Sequence, residues 1–203
     1  MADLFDATLA AQVRGRLVDW PAGPFDIIYA DPPWKFSSNS KAKPGRNAMR
    51  HYETMTVPEI MAMPVEEIAA PQALLFLWVT VPHLANGMDT ASRWGFKYVS
   101  SFVWPKQRIA TGYWIRNRHE IVLLCKRGRF PRPDGKAPFP DSVLDGEQRE
   151  HSRKPIGLKD HIDDLWPQAR RVELFARSDR DGWTCWGDEV GKFGKEQRNG
   201  AET

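Results

Sequence analysis

Asp31-Pro32-Pro33-Trp34 directly follows the apolar run Phe25–Ala30. These four residues could activate a conjugated amine such as the one on a nucleobase. The nitrogen lone pair of such an amine is delocalised into its ring, so the amine is a poor nucleophile. A carboxylate that accepts a hydrogen bond from it favours tetrahedral nitrogen and frees the lone pair. The Pro32 carbonyl, fixed by the ring of Pro33, can accept the second N–H, and both proline rings hold the backbone ready. The indole of Trp34 offers a flat face to a base drawn out of its stack. Asp31, Pro32, Pro33 and Trp34 are therefore the catalytic candidates. The plainer alternative is a turn with Trp34 in the core. Placement at a strand end favours chemistry, because open α/β sheets bind ligands at the carboxyl ends of their strands.

The elements that must position this motif follow from hydrophobic patterning. Short continuous apolar runs at 25–30, 73–79, 98–104, 120–125 and 171–176 predict strands covered on both faces. Helices are predicted from Thr56, whose hydroxyl can cap Val57-Pro58-Glu59, and over 82–94 and 155–165, each with proline near its start. Alternation of strands and helices implies an α/β fold with a mostly parallel sheet. Residues 1–190 read as a single domain, a size that suits one core. The polar stretch 191–203 is expected to be a disordered tail.

Composition narrows the function. The 203 residues are 41% hydrophobic and 27% charged, a globular balance. No run approaches the ~20 apolar residues that span a bilayer. The acidic N-terminus lacks the basic region of a secretory signal, so a cytoplasmic location is expected. Cys125 and Cys185 read as buried free thiols. The five histidines have no metal-ligand spacing with them, so no metal is expected.

The net charge of +3 is unevenly placed. Window 35–50 holds five Lys/Arg and no acid, and window 106–136 holds nine against Glu120 and Asp134. These windows should form one basic face around Trp34 that attracts phosphates; solvated loops are the alternative. Tyr113 and Trp114 lie among Lys106, Arg116 and Arg118, and aromatics among cations can grip unpaired bases. Trp104 ends a strand and reads more as core.

The segments Ala30–Trp34, His51–Met55, Leu75–Thr80, Trp94–Phe96, Thr111–Trp114 with His119-Glu120, Lys126–Gly128, His151–Pro155, Glu173–Arg177 and Gly182–Glu189 occur in that order. In these segments the chain resembles the MT-A70 family of S-adenosylmethionine-dependent adenine-N6 methyltransferases. The resemblance implies a Rossmann-like methyltransferase sheet with helices on both faces, the catalytic motif preceding the cofactor motif in chain order. S-adenosylmethionine would be the cofactor, held by Asp31, Lys154, Glu173, Leu174, Phe175, Arg177, Asp188 and Glu189. The resemblance implies that Lys154 reaches its methionine part and Arg177 its ribose. Tyr52 would belong to a loop over the site and Glu120 would stand near the acceptor base. The stretch Ser178–Asp181 departs from the pattern of the mRNA enzyme.

Residue chemistry is compatible with these roles. Glu173 can hydrogen-bond a ribose diol, and an acid in an apolar strand needs a partner in any case. Lys154 can pair with a carboxylate; it could equally be a solvated helix-start residue, and Arg177 with Glu173 could be a plain salt bridge. The expected activity is methyl transfer to an extruded or unpaired adenine of nucleic acid, DNA before RNA. An RNA adenine-N6 methyltransferase is the alternative, and a catalytically inert nucleic-acid-binding subunit is a second. No membrane partner is expected; homodimerisation is left open.

Overall fold

The computed structural model describes residues 2–35, 54–107, 114–131, 133, 140–146 and 153–198. The chain begins with helix α1 (Ala2–Arg14), followed by strand β1 (Phe25–Ala30). Short helices α2 (Val57–Met61) and α3 (Val65–Ile68) lead into β2 (Ala69–Thr80). A 3-10 turn (Val81–His83) precedes α4 (Leu84–Arg93), and β3 (Lys97–Pro105) and β4 (His119–Arg127) form an antiparallel pair. Helix α5 (Gly157–Leu165), β5 (Arg171–Leu174) and β6 (Trp183–Trp186) complete the fold.

Local chemistry explains several boundaries. The Thr56 hydroxyl accepts from the Glu59 backbone while the Glu59 carboxylate accepts from the Thr56 backbone, a complete capping box with Pro58 in the first turn. Strand β5 stops two residues short of the predicted 176. Phe175 adopts φ 63°, a left-handed conformation rare for a bulky residue, and this breaks the ladder. Ala176 N–H then donates to the Trp186 carbonyl at 2.8 Å. This approach needs Gly187, since a Cβ there would meet Ala176 backbone atoms at 2.7–2.8 Å.

The sheet order is β3-β4-β2-β1-β5-β6. Strands β2, β1, β5 and β6 pair in parallel and β4 runs against them, so β4 alone opposes the common direction. Core side chains cover both faces. Ile28, Leu75, Leu77 and Val172 pack with Ile60, Ala91 and Trp94 from the α2 and α4 side on one face. Ile27, Tyr29, Phe76 and Trp78 pack with Leu158 and Ile162 of α5 on the other. The expected Rossmann-like sheet with helices on both faces is the one observed. The chain leaves β1 toward β2 on one side and reaches β5 on the other, so the crevice beyond β1 is a topological switch point.

Residues 191–198 correct the expectation of a disordered tail. Asp179 N–H donates to Gly194 O, Glu196 N–H to Asp179 O and Phe193 N–H to Arg177 O, at 2.7–3.3 Å. The Glu196 carboxylate is buried against Lys159 and Arg180. Polar composition suggested a solvated tail, but a buried cluster of opposite charge captures the segment. Residues 199–203 lie outside the described residues. Among the described residues, no helix is long and apolar enough to cross a membrane.

Candidate active site

Asp31 follows the last residue of β1, where Ala30 aligns with Leu77 of β2 and Leu174 of β5. The turn behind it is tight: Trp34 N–H donates to Pro32 O at 2.8 Å, and Met55 N–H donates to Pro33 O at 3.0 Å. Lys154 Nζ, just ahead of α5, lies 2.9 Å from Asp31 Oδ2 and 3.1 Å from Glu120 Oε2. Glu120, at the start of β4, also pairs with Lys106. The result is a row of alternating charge, Asp31–Lys154–Glu120–Lys106, along the carboxyl edge of the sheet. Two buried indoles underlie it: Lys154 Nζ lies 5.2 Å from the Trp78 ring and Lys106 Nζ 5.2 Å from the Trp104 ring.

The two central groups stay charged for a common reason. Burial would lower the Lys154 ammonium, but Asp31 and Glu120 outweigh it and hold the pKa well above the usual lysine value. Burial would raise Glu120, but Lys154 and Lys106 outweigh it and hold its carboxyl below the ordinary range.

A second row lies beside the first. Glu173 of β5 meets Lys159 of α5 at 2.9 Å, and Lys159 also pairs with Glu196. Burial raises the Glu173 pKa, Lys159 offsets this only in part, and nearby Glu196 and Asp31 push it further upward. Arg180 extends the row, 2.5 Å from Asp160 and 2.6 Å from Asp163. The Ser178–Asp181 stretch therefore carries a buried arginine that ties it to α5.

Between the rows is a cleft of about 30 Å³ lined by Tyr29, Asp31, Lys154, Glu173, Phe175 and Arg177, together with Arg153, Phe193 and Glu196. The structure thus brings together Asp31, Lys154, Glu173, Phe175 and Arg177. A larger apolar cavity of about 330 Å³ lies between α5 and the far half of β3. It contains none of the candidate residues, and Pro131, Pro133 and Pro140 on its rim border positions outside the described residues.

Other candidates stand elsewhere. Trp34 presents no open face: it is 5% exposed, its Nε1 donates to Trp78 O at 3.0 Å, and it stacks on His83. The tight turn at Pro32 sends the indole into the core, so the expected base platform is a structural anchor instead. The Leu174 side chain is fully buried, which leaves only its backbone near the cleft. Asp188 is exposed and Glu189 pairs with Lys192, and neither lines the cleft. Trp104 is fully buried and donates to Gly146 O at 3.0 Å, as its core reading expected.

Among the described residues, the cations of the two basic windows do not share one face. Lys106 is ion-paired with Glu120 rather than turned to solvent. Strand β4 carries Lys126 and Arg127 away from the site. Glu120 aligns with Thr80 at the carboxyl end of β2, whereas Arg127 aligns with Ala73 at the opposite end and pairs with Glu66. Trp114, Arg116 and Arg118 remain exposed just before β4 at the site edge, with Trp114 98% exposed. Tyr52, Tyr113, residues 36–50 and Arg108 lie outside the described residues.

Sequence reasoning missed Lys159, Phe193 and Glu196. A signal for Lys159 existed: it sits beside the buried Leu158, Ile162 and Leu165 stripe, and Glu173 in its apolar strand required a cation.

The sheet is Rossmann-like, with a charged cleft at its switch point. The MT-A70 family profile matches residues 25–189, and the chain belongs to that family. It is 33% identical over 186 residues to the Type II methyltransferase M.MunI of Mycoplasma sp, across 84% of this chain and 79% of that one. It is 32% identical to a putative N(6)-adenosine-methyltransferase MT-A70-like protein of Medicago truncatula. To the human N(6)-adenosine-methyltransferase catalytic subunit METTL3 it is 28% identical. Each of these two alignments takes in 83% of this chain, but the chain spans only 27% and 28% of those proteins.

Proposed function

We propose that the protein transfers a methyl group from S-adenosylmethionine to the N6 amine of adenine in DNA. One observation carries the reading. Asp31, at the switch point, shares a cleft with Lys154, Glu173 and Arg177. The donor set fits the cofactor. Acids suit its ammonium and ribose diol, cations suit its carboxylate, and Phe175 offers an aromatic wall. When bound, S-adenosylmethionine supplies a methyl group on a sulfonium, ready for a nucleophile. Asp31 accepts a hydrogen bond from the adenine amine and orients its lone pair, and the Pro32 carbonyl accepts the second N–H. Lys154 fixes the Asp31 carboxylate, and Glu120 in turn fixes Lys154. Trp114, Arg116 and Arg118 grip the nucleic acid at the rim. DNA is preferred because the match takes in 79% of the Type II methyltransferase but only 27% and 28% of the two adenosine methyltransferases named above.

The test is to incubate the protein with labelled S-adenosylmethionine and matched DNA and RNA, and to identify the products by nucleoside mass spectrometry. N6-methyldeoxyadenosine is the expected product. Label only in N6-methyladenosine would move the substrate to RNA, and N4-methylcytosine would overturn the acceptor. The absence of both product and cofactor binding would favour the inert subunit.

A further inference from the structure

The segment 191–198 reaches the cleft, and one of its side chains has no role in the proposed reaction. Phe193 lies beside three cations: its ring centroid is 4.5 Å from the Arg153 guanidinium carbon, 5.7 Å from that of Arg177 and 5.7 Å from Lys192 Nζ. Arg153 and Arg177 line the cleft with it. These arginines come from distant parts of the chain, one beside Lys154 and the other two residues past Phe175. A planar guanidinium stacks through its face and donates hydrogen bonds through its edge, so an aromatic ring can fix its orientation without consuming its in-plane donors.

The ring is itself held in place. Phe193 N–H donates to Arg177 O at 3.2 Å, and two further backbone bonds tie Asp179 to Gly194 and Glu196. Glu196, three residues on, is buried between Lys159 and Arg180. Gly191 and Gly194 flank the ring at φ 84° and 68°, conformations that turn the backbone around it and that other residues rarely adopt.

We infer that Phe193 is a positioning residue for the cofactor: its ring holds Arg153 and Arg177 at the rim of the cleft, and Glu196 anchors the segment that carries it. This rests on the proposed cofactor assignment. Two cations held at one rim suit the anionic and hydroxyl groups of the ligand, with Arg177 on the ribose side and Arg153 beside the lysine assigned to the methionine end.

Calorimetry with S-adenosylhomocysteine as the probe tests it on the full chain, with the thermal midpoint measured in parallel. Phe193→Leu keeps apolar bulk but removes the π face, and should weaken binding about tenfold, between the sizes of an exposed and a desolvated cation–π contact. Phe193→Tyr restores the face and should return affinity to within about threefold of the parent, on the same scale. In turnover, Phe193→Leu should raise KM for the cofactor and leave kcat nearly unchanged. Combined with Arg153→Ala, its effect should be less than additive. Equal affinity of the Leu, Tyr and parent proteins overturns the inference while leaving the cofactor assignment intact. Equal weakening by Leu and Tyr also overturns it, because packing alone would then account for the loss. A parent protein that binds no probe overturns both.

Discussion

Lys154 Nζ stands 2.9 Å from Asp31 Oδ2, joining the first chemical motif of the chain to a residue more than a hundred positions later. The same ammonium reaches Glu120 at 3.1 Å. The proposed base-orienting carboxylate is thus not an isolated acid at a strand end. It is the outer member of a row whose buried groups neutralise one another, which preorganises it before any ligand arrives.

Asp31→Asn keeps the shape of the side chain but removes its charge and its full acceptor capacity. Methyl transfer in single turnover should fall by about 10²–10³, the usual cost of losing one preorganised electrostatic partner. The circular dichroism spectrum should be unchanged. A rate within a few-fold of the parent would end the catalytic assignment.

Trp34→Ala should act on stability. The indole is buried, bonded to the Trp78 carbonyl and stacked on His83. Its truncation should cost about 3–5 kcal/mol in denaturant unfolding, the range for large aromatic residues in cores. A variant as stable as the parent, with substrate affinity alone reduced, would return Trp34 to the role of a base platform.

Glu120 should shape the acid limb of the stability curve. Its folded pKa lies below its unfolded one, so ionisation favours the folded state. That contribution is complete above the unfolded pKa, about 4.3, and is lost as pH falls through the lower folded value. Thermal midpoints measured from neutral pH downward should therefore drop more steeply in the parent than in Glu120→Gln below about pH 4.3. Parallel curves would show that the Lys106–Glu120–Lys154 row adds nothing to folding.

Nucleic-acid binding should depend on one end of the sheet only. Arg116→Glu with Arg118→Glu should weaken duplex binding and make the log–log salt slope shallower by about 0.9 for each phosphate that is no longer neutralised. Lys126→Glu with Arg129→Glu, at the far end of β4, should leave both unchanged. Electrophoretic mobility shifts across a salt series would read both pairs. Equal effects would mean that the whole basic window faces the ligand.

Sequence by itself determined five of the six strands, the capped helix at Thr56, the candidate motif at Asp31 and the family, because these reside in local pattern: runs of apolar residues, a capping box and residues contiguous in the chain. It also marked Glu173 as a buried acid in need of a cation. Only the tertiary structure decided which cation. Lys159 meets Glu173 because α5 packs across the face of the sheet, and Lys154 meets Asp31 because it stands just ahead of α5, the helix that leads into β5 beside β1. It also decided where the charges of a basic window go: one strand carries them from the site to the opposite edge, a separation that composition does not register. The inward turn of Trp34 and the capture of Glu196 have the same origin. Burial and ion pairing depend on what lies across space from a residue, and for these residues that partner comes from a distant part of the chain.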